Sequence, residues 1–232
     1  MKSAQGTDEL KRMAALRAVD YVRNGMVVGL GTGSTAKHVI LALGEKVKKG
    51  LKITGVATSK ETAALARKAK IRLLPDDDIW PIDVAIDGAD QVDPLFNLIK
   101  GGGGALLKEK IVAGSAKQFI VVVDHTKRVW VLGGAFPLPV EVMPFGWRNT
   151  ARQIETLGGK ADVRKKNGKT FVTESGHYIL DVKLDRIDEP ATLERKLNQI
   201  PGVVENGLFV GRTSVLIVGA PHGVEVQSAA TR

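Results

Sequence analysis

The chain contains no cysteine, which at once excludes disulfides, thiolate metal sites and a cysteine nucleophile. Aromatic residues are also scarce, at 5% of 232 residues. None of them interleaves with the two basic clusters, residues 46–49 and 164–166, as a base-stacking platform requires. The net charge of +9 is therefore assigned to a solvated basic surface around a small anionic substrate, with no nucleic acid as partner. No apolar run reaches the roughly 18 to 20 residues of a membrane span. Residues 1–8 are polar and lack the apolar core of a signal peptide, so no membrane partner is expected and the expected compartment is the cytoplasm. The 4 histidines stand apart, with no pair spaced as metal ligands, and no metal site is expected.

What is present is the balance of a globular protein, 44% hydrophobic and 25% charged, long enough to bury a core without metal or disulfide staples. Thr7, Asp8 and Glu9 look like a helix start, and Leu10, Ala14, Ala18, Tyr21 and Val22 recur at helical spacing until Gly25. The apolar run 26–30 then enters a glycine-rich turn, and a helix follows over residues 35–48. Strands are expected at 51–57, 71–74, 82–86 and 119–123, with helices at 59–69 and 105–113. This alternation predicts an α/β fold: a doubly wound, mostly parallel, Rossmann-like sheet with right-handed crossovers. Near Leu132 the pattern breaks, and Gly133, Gly134, Pro137, Pro139 and Pro144 mark a crossing. Helices at 151–157 and 190–199, with strands 171–173 and 178–182 paired, predict a smaller inserted α+β domain. Residues 213–219 form a late strand able to rejoin the first sheet. The expected division is 1–131 plus 206–232 for the catalytic domain and 132–205 for the small one.

The turn Gly29-Leu30-Gly31-Thr32-Gly33-Ser34-Thr35 joins a strand to a helix. Backbone N–H groups and the helix dipole make such a junction an anion site, and three hydroxyls add donors. A dinucleotide fingerprint needs a third glycine where Ser34 stands, and an acid at the end of the second strand, where Val56-Ala57-Thr58-Ser59-Lys60 has none. The Walker pattern is missing too. The cradle reads as taking a phosphate that belongs to no dinucleotide; the plainer reading is a tight turn.

Ligands of open α/β sheets lie beyond the carboxyl ends of the strands. Asp87-Gly88-Ala89-Asp90 stands at such an end, and Lys100 precedes four successive glycines, 101–104. Such a run costs backbone entropy without packing return, which argues for a close approach of the backbone to something. Alone, an Asp beside Gly is turn chemistry, Glu109 between Lys108 and Lys110 reads as a solvated helix residue, and Lys127 reads as surface.

Taken in order, these segments carry a resemblance. Residues 29–36 (GLGTGSTA), 87–90 (DGAD), 100–103 (KGGG), 108–110 (KEK), 136–142 (FPLPVEV), 157–159 (LGG) and 200–204 (IPGVV) are similar to the A-type ribose-5-phosphate isomerases, over nearly the whole chain. Leu10-Lys11 matches the N-terminal helix of that family. The resemblance implies interconversion of D-ribose 5-phosphate and D-ribulose 5-phosphate through an enediolate, in the non-oxidative branch of the pentose phosphate pathway. It implies no cofactor, a homodimer or homotetramer, and a doubly wound domain carrying a small α+β insertion. It places the general base on Glu109, the acidic pair near the sugar hydroxyls on Asp87 and Asp90, and the substrate lysine on Lys100. The substrate-binding loops fall on Thr32, Gly33, Ser34 and Thr35, on Gly88 and Ala89, and on Gly101, Gly102 and Gly103, with Lys11 and Lys127 as further basic positions. The chain departs from the commonest pattern in the extra Gly104 and in His125-Thr126 before Lys127. Three other readings compete: a non-catalytic sugar-phosphate sensor, a CoA-transferase-like enzyme and a nucleic-acid-binding module.

Overall fold

The computed structural model describes residues 2–229. Helix α1 (Lys2–Ala18) is followed by β1 (Val27–Leu30), α2 (Ser34–Lys48), β2 (Thr54–Ala57), α3 (Lys60–Lys68), β3 (Arg72–Leu73) and β4 (Val84–Asp87). Next come β5 (Gln91–Val92), β6 (Leu98–Ile99), α4 (Leu106–Ser115), β7 (Gln118–Asp124), β8 (Leu138–Val142), α5 (Trp147–Glu155) and β9 (Lys160–Val163). The chain ends with β10 (Lys165–Lys166), β11 (Lys169–Thr170), β12 (Tyr178–Lys183), α6 (Pro190–Asn198), β13 (Val203–Asn206), β14 (Leu208–Phe209), β15 (Val215–Ala220) and β16 (Gly223–Ser228). These elements divide into two compact units. One holds the residues up to 89, 108–127 and those from 212 onward; the other holds 90–107 and 128–211.

The first unit is built on a seven-stranded sheet in the order β16-β15-β7-β4-β1-β2-β3. All neighbours are parallel except β16, which runs antiparallel to β15. This is the doubly wound, mostly parallel α/β sheet that the strand–helix alternation predicts. Its central strands are apolar along their length because both faces are covered. Val28, Leu30, Ile86, Ile120, Val122 and Ile217 meet Ala14, Ala15, Val39, Ile40 and Leu43 from the helices, each at most 1% exposed. Full burial of a large aliphatic side chain contributes roughly 1.5–3 kcal/mol, so this layer is the main stabilising term of the unit. At the amino ends of the strands, Asp83 accepts hydrogen bonds from Lys117 (2.8 Å) and from the Val27 N–H (2.9 Å).

Helix α1 begins at Lys2, so Thr7, Asp8 and Glu9 lie inside it and do not cap it. Asp8 instead meets His38 of α2 at 3.0 Å. Helix α3 does carry a side-chain cap: the Ser59 hydroxyl accepts from the Thr62 N–H at 3.1 Å. Strand β15 rejoins the first sheet beside β7, with β16 as a further edge strand.

In the second unit, an antiparallel sheet β13-β8-β12-β9 packs with α5 and α6 around Leu138, Val140, Val142, Ile154, Leu180 and Leu197. A separate three-stranded sheet has the order β14-β6-β5, and β10 pairs with β11 as a hairpin. Asn167 and Gly168, at φ 53° and 77°, form the hairpin turn in the left-handed region. Three expectations meet a different outcome here. Residues 90–107, 128–131 and 206–211, expected in the catalytic domain, group with the second unit, where β5 and β6 form a sheet with β14. Residues 171–173 pair with 178–182 through the isolated bridge Val172–Tyr178 and form no strand with them, since β12 is taken up between β8 and β9. The proline-rich crossing contains β8. Pro139 is tolerated there because its carbonyl accepts from Gly207 and its nitrogen faces the same side, where β13 has already ended.

Among the described residues, no helix is long and apolar enough to cross a membrane.

Candidate active site

The residues singled out from the sequence fall into two groups, one on each unit. On the first unit they gather at the carboxyl ends of β1, β4 and β7. Leu30 and Ile86 are register partners, so the turns leaving β1 and β4 start side by side. Asp87 closes β4 at 4% exposure, and its Oδ1 accepts the N–H of Thr32 (3.1 Å) and of Gly88 (2.7 Å). The glycine turn thus wraps over this carboxylate. A Cβ on Gly31 would stand 2.0 Å from Asp87 Oδ1, so no side chain fits at that position. Beyond Gly33, at φ 104°, helix α2 opens on Ser34 and Thr35. The amides of such a first turn have no carbonyl within the helix to bond, and together with the helix dipole they give this end of α2 the polarity an anion would meet.

Lys11 completes this end. Its ammonium donates to Ser34 Oγ at 3.2 Å and lies 4.0 Å from Asp124 Oδ2, a carboxylate only 1% exposed. The delivery of Lys11 follows from packing: a Cβ on Gly219 would stand 2.1 Å from the Leu10 carbonyl oxygen, so α1 lies directly on β15. Gly219 is the register partner of Asp124, which sets Lys11 above the end of β7. Lys127 ends the short 3-10 turn His125–Lys127 just after that strand.

Glu109 lies in the first turn of α4 and is 6% exposed, with Lys110 beside it at 5%. The solvated reading of this segment is therefore excluded.

Sequence reasoning missed a hydroxyl network under the glycine turn. Thr32 Oγ1 lies 2.7 Å from Thr58 Oγ1, 3.0 Å from Ser59 Oγ and 3.2 Å from Thr62 Oγ1. Thr58 and Thr62 also donate to the carbonyls of Leu30 (2.9 Å) and Gly31 (2.8 Å). The Thr32 hydroxyl is thus committed inward and props the turn, while Ser34 meets Lys11. The available signal was Thr58-Ser59 at the end of β2, the place where dinucleotide folds carry an acid. Asp124 was likewise passed over, although it directly precedes the His125-Thr126-Lys127 segment.

The second group is on the other unit. Asp90 Oδ2 accepts the Gly102 N–H at 2.8 Å. Lys100 directly follows β6 at 3% exposure; its N–H donates to the Gly207 carbonyl (2.8 Å) and its ammonium sits 5.5 Å from the Phe209 ring centre. Gly101 and Gly104 have φ of 105° and 83°, a conformation that favours glycine. Among the described residues, no three His, Cys, Asp or Glu side chains cluster as a metal would require.

The family model of ribose 5-phosphate isomerase A (phosphoriboisomerase A) matches residues 54–223. The chain belongs to this family. Among its relatives, the ribose-5-phosphate isomerase A of Bradyrhizobium diazoefficiens is 50% identical over 230 residues, covering 94% of this chain and 95% of the relative. That of Gloeobacter violaceus is 50% identical over 220 residues, covering 94% and 96%. Among solved structures, a D-ribose-5-phosphate isomerase in complex with phospho-erythronic acid superposes with a TM-score of 0.92 at 42% identity, over 96% of this chain and 99% of the other. The ribose 5-phosphate isomerase from Plasmodium falciparum gives 0.93 at 35% identity, over 97% and 100%. Both loops, the hydroxyl-rich turn after β1 and the glycine run after β6, thus belong to a ribose-5-phosphate isomerase A fold.

Proposed function

We propose that the chain interconverts D-ribose 5-phosphate and D-ribulose 5-phosphate through an enediolate, with Glu109 as general base and no metal. The observation that carries the assignment of the base is the burial of Glu109: helical periodicity alone would leave it in water, yet in this family member it is 6% exposed. A carboxylate suits a group that must both accept and release a proton within one turnover.

In this reading the phosphate sits at the head of α2, held by Gly33, Ser34 and Thr35 and by the charges of Lys11 and Lys127. Asp87 or Asp90 assists ring opening. Glu109 then takes the proton from C2 of the open-chain aldehyde and returns it at C1. Asp87, fixed by its two backbone N–H donors, moves the proton between O1 and O2. Lys100 and the amides of Gly101, Gly102 and Gly103 stabilise the negative oxygen of the enediolate. The relative solved with phospho-erythronic acid supports a phosphorylated sugar chain as the ligand. The setting is the non-oxidative pentose phosphate pathway in the cytoplasm, in a homodimer or homotetramer.

Glu109→Gln tests the assignment, since it preserves shape and removes basicity. The expected result is a fall of at least about 100-fold in kcat with substrate binding largely retained. A variant keeping more than half of the wild-type kcat refutes the role of Glu109.

A further inference from the structure

We propose that Arg164, anchored by Asp181 and backed by Phe171, is a positioning residue that fixes the Gly101–Gly104 loop in its working conformation. The proposal rests on the reading above, in which the amides of that loop serve the reacting oxygen.

Four successive glycines have far more conformations available than any other tetrapeptide, so something outside the loop must select one. The guanidinium of Arg164 does so. Its Nη1 donates to the carbonyls of Gly101 (2.7 Å) and Gly102 (3.2 Å). The rest of the fork is held by Asp181, which accepts from Nε at 2.9 Å and from Nη2. The two side chains are only 14% and 23% exposed, so this ion pair is better shielded than a surface one.

Peptide planarity converts that grip into an aim. In a trans peptide the C=O and the following N–H point in opposite directions. Holding the Gly101 carbonyl therefore turns the Gly102 N–H away from Arg164, and it donates to Asp90 Oδ2 at 2.8 Å. Holding the Gly102 carbonyl turns the Gly103 N–H away in the same manner. Gly103 is exposed, and its N–H meets no protein acceptor among the described residues. It is a donor left for an oxyanion.

Phe171 closes the far end of the loop, because a Cβ on Gly104 would stand 2.5 Å from its ring. Its N–H donates to the Arg164 carbonyl at 2.9 Å, and the Arg164 N–H donates to Ile179 at 2.8 Å. The clamp thus stands at the base of the β10–β11 hairpin and is tied to β12, the strand that carries Asp181. A lysine ammonium lacks the planar fork that grips two carbonyls and a carboxylate together.

The test compares Arg164→Ala, Arg164→Lys and Asp181→Asn with Glu109→Gln and Lys100→Met in steady-state isomerisation of ribose 5-phosphate, with a melting curve for each. Arg164→Ala is expected to lose between about 10- and 100-fold in kcat with KM little changed, because a misplaced donor acts on the transition state. Added guanidinium ion should restore part of that activity, and Arg164→Lys should not recover it. Should Arg164→Ala fail to fold, Asp181→Asn decides, with a smaller loss of kcat expected and an unchanged kcat overturning the proposal. A folded Arg164→Ala with kcat within about twofold of wild type, near the usual scatter of a neutral surface change, overturns the clamp. So does a loss that tracks the melting temperature and resists guanidinium, since that is a structural role alone. If Glu109→Gln and Lys100→Met collapse while Arg164→Ala does not, only the clamp falls. If those two keep their activity, the site reading falls and the clamp with it.

Discussion

Replacing Gly31 by alanine should destabilise the protein by about 3 kcal/mol or more, the reverse of what backbone propensity alone predicts. Gly31 does not occupy the left-handed region, so alanine meets no conformational obstacle there. On entropy alone the change would stabilise by about 0.4–1 kcal/mol. The added Cβ, however, would lie 2.0 Å from Asp87 Oδ1, 2.1 Å from its Cγ and 2.6 Å from its Cβ. The Asp87 carboxylate must move, and its bonds to the N–H of Thr32 (3.1 Å) and Gly88 (2.7 Å) go with it. A hydrogen bond to a charged group contributes about 1.5–3 kcal/mol, and overpacking costs about 1–3 kcal/mol. Even with partial relaxation these terms outweigh the entropic gain. Urea unfolding at neutral pH reads the stability, and kcat/KM should fall too because the displaced turn leads into α2. Gly6→Ala is the control: nothing lies within 4 Å of its added Cβ inside α1, so that change should be neutral or stabilise by up to about 1 kcal/mol. A Gly31→Ala protein as stable as wild type would refute the packing argument.

Ser34→Ala should raise KM for ribose 5-phosphate with a smaller effect on kcat; an unchanged KM removes this hydroxyl from the phosphate site. Gly219→Ala should lift α1 off β15, where the Leu10 carbonyl stands 2.1 Å from the added Cβ. Lys11 then leaves Ser34, so both the melting temperature and the affinity for substrate should drop, and an intact KM would contradict the link between them. Asp83 is held below its ordinary value of 3.8, first by Lys117 and then by the Val27 N–H. A depressed acid stabilises the fold above that value and loses the contribution as pH falls through its lower folded one. Asp83→Asn should therefore destabilise at pH 7, and the gap from wild type should close on acidification below 3.8, as read by urea midpoints across that range.

The parallel sheet was legible because its strands are short apolar runs, and β1 and β2 lead directly into the helical patterns of α2 and α3. Strand β8 was not, because Pro137, Pro139 and Pro144 read locally as breakers, and only the ending of β13 beside Pro139 makes that proline harmless. The grouping of residues 90–107 with the second unit rests on the pairing of Leu98 and Ile99 with β14, more than a hundred residues away, which no local pattern encodes. At the site, spacing exposed the glycine turn and the Asp87–Asp90 loop, but not which groups prop them. Thr58, Ser59 and Thr62 are ordinary in a helix start, and Arg164 looked like one member of a solvated basic cluster. Their partners are the Thr32 hydroxyl and backbone carbonyls brought close by the fold. Burial of Glu109 is also a tertiary fact, since its two lysine neighbours argue locally for water.

The most direct test of the central claim is the conversion of ribose 5-phosphate to ribulose 5-phosphate by the purified protein in excess EDTA. Full activity, indifferent to the chelator, is the expected result. A well-folded protein that is inactive in EDTA and recovers on adding a divalent metal would contradict it, and so would one with no isomerase activity in either condition.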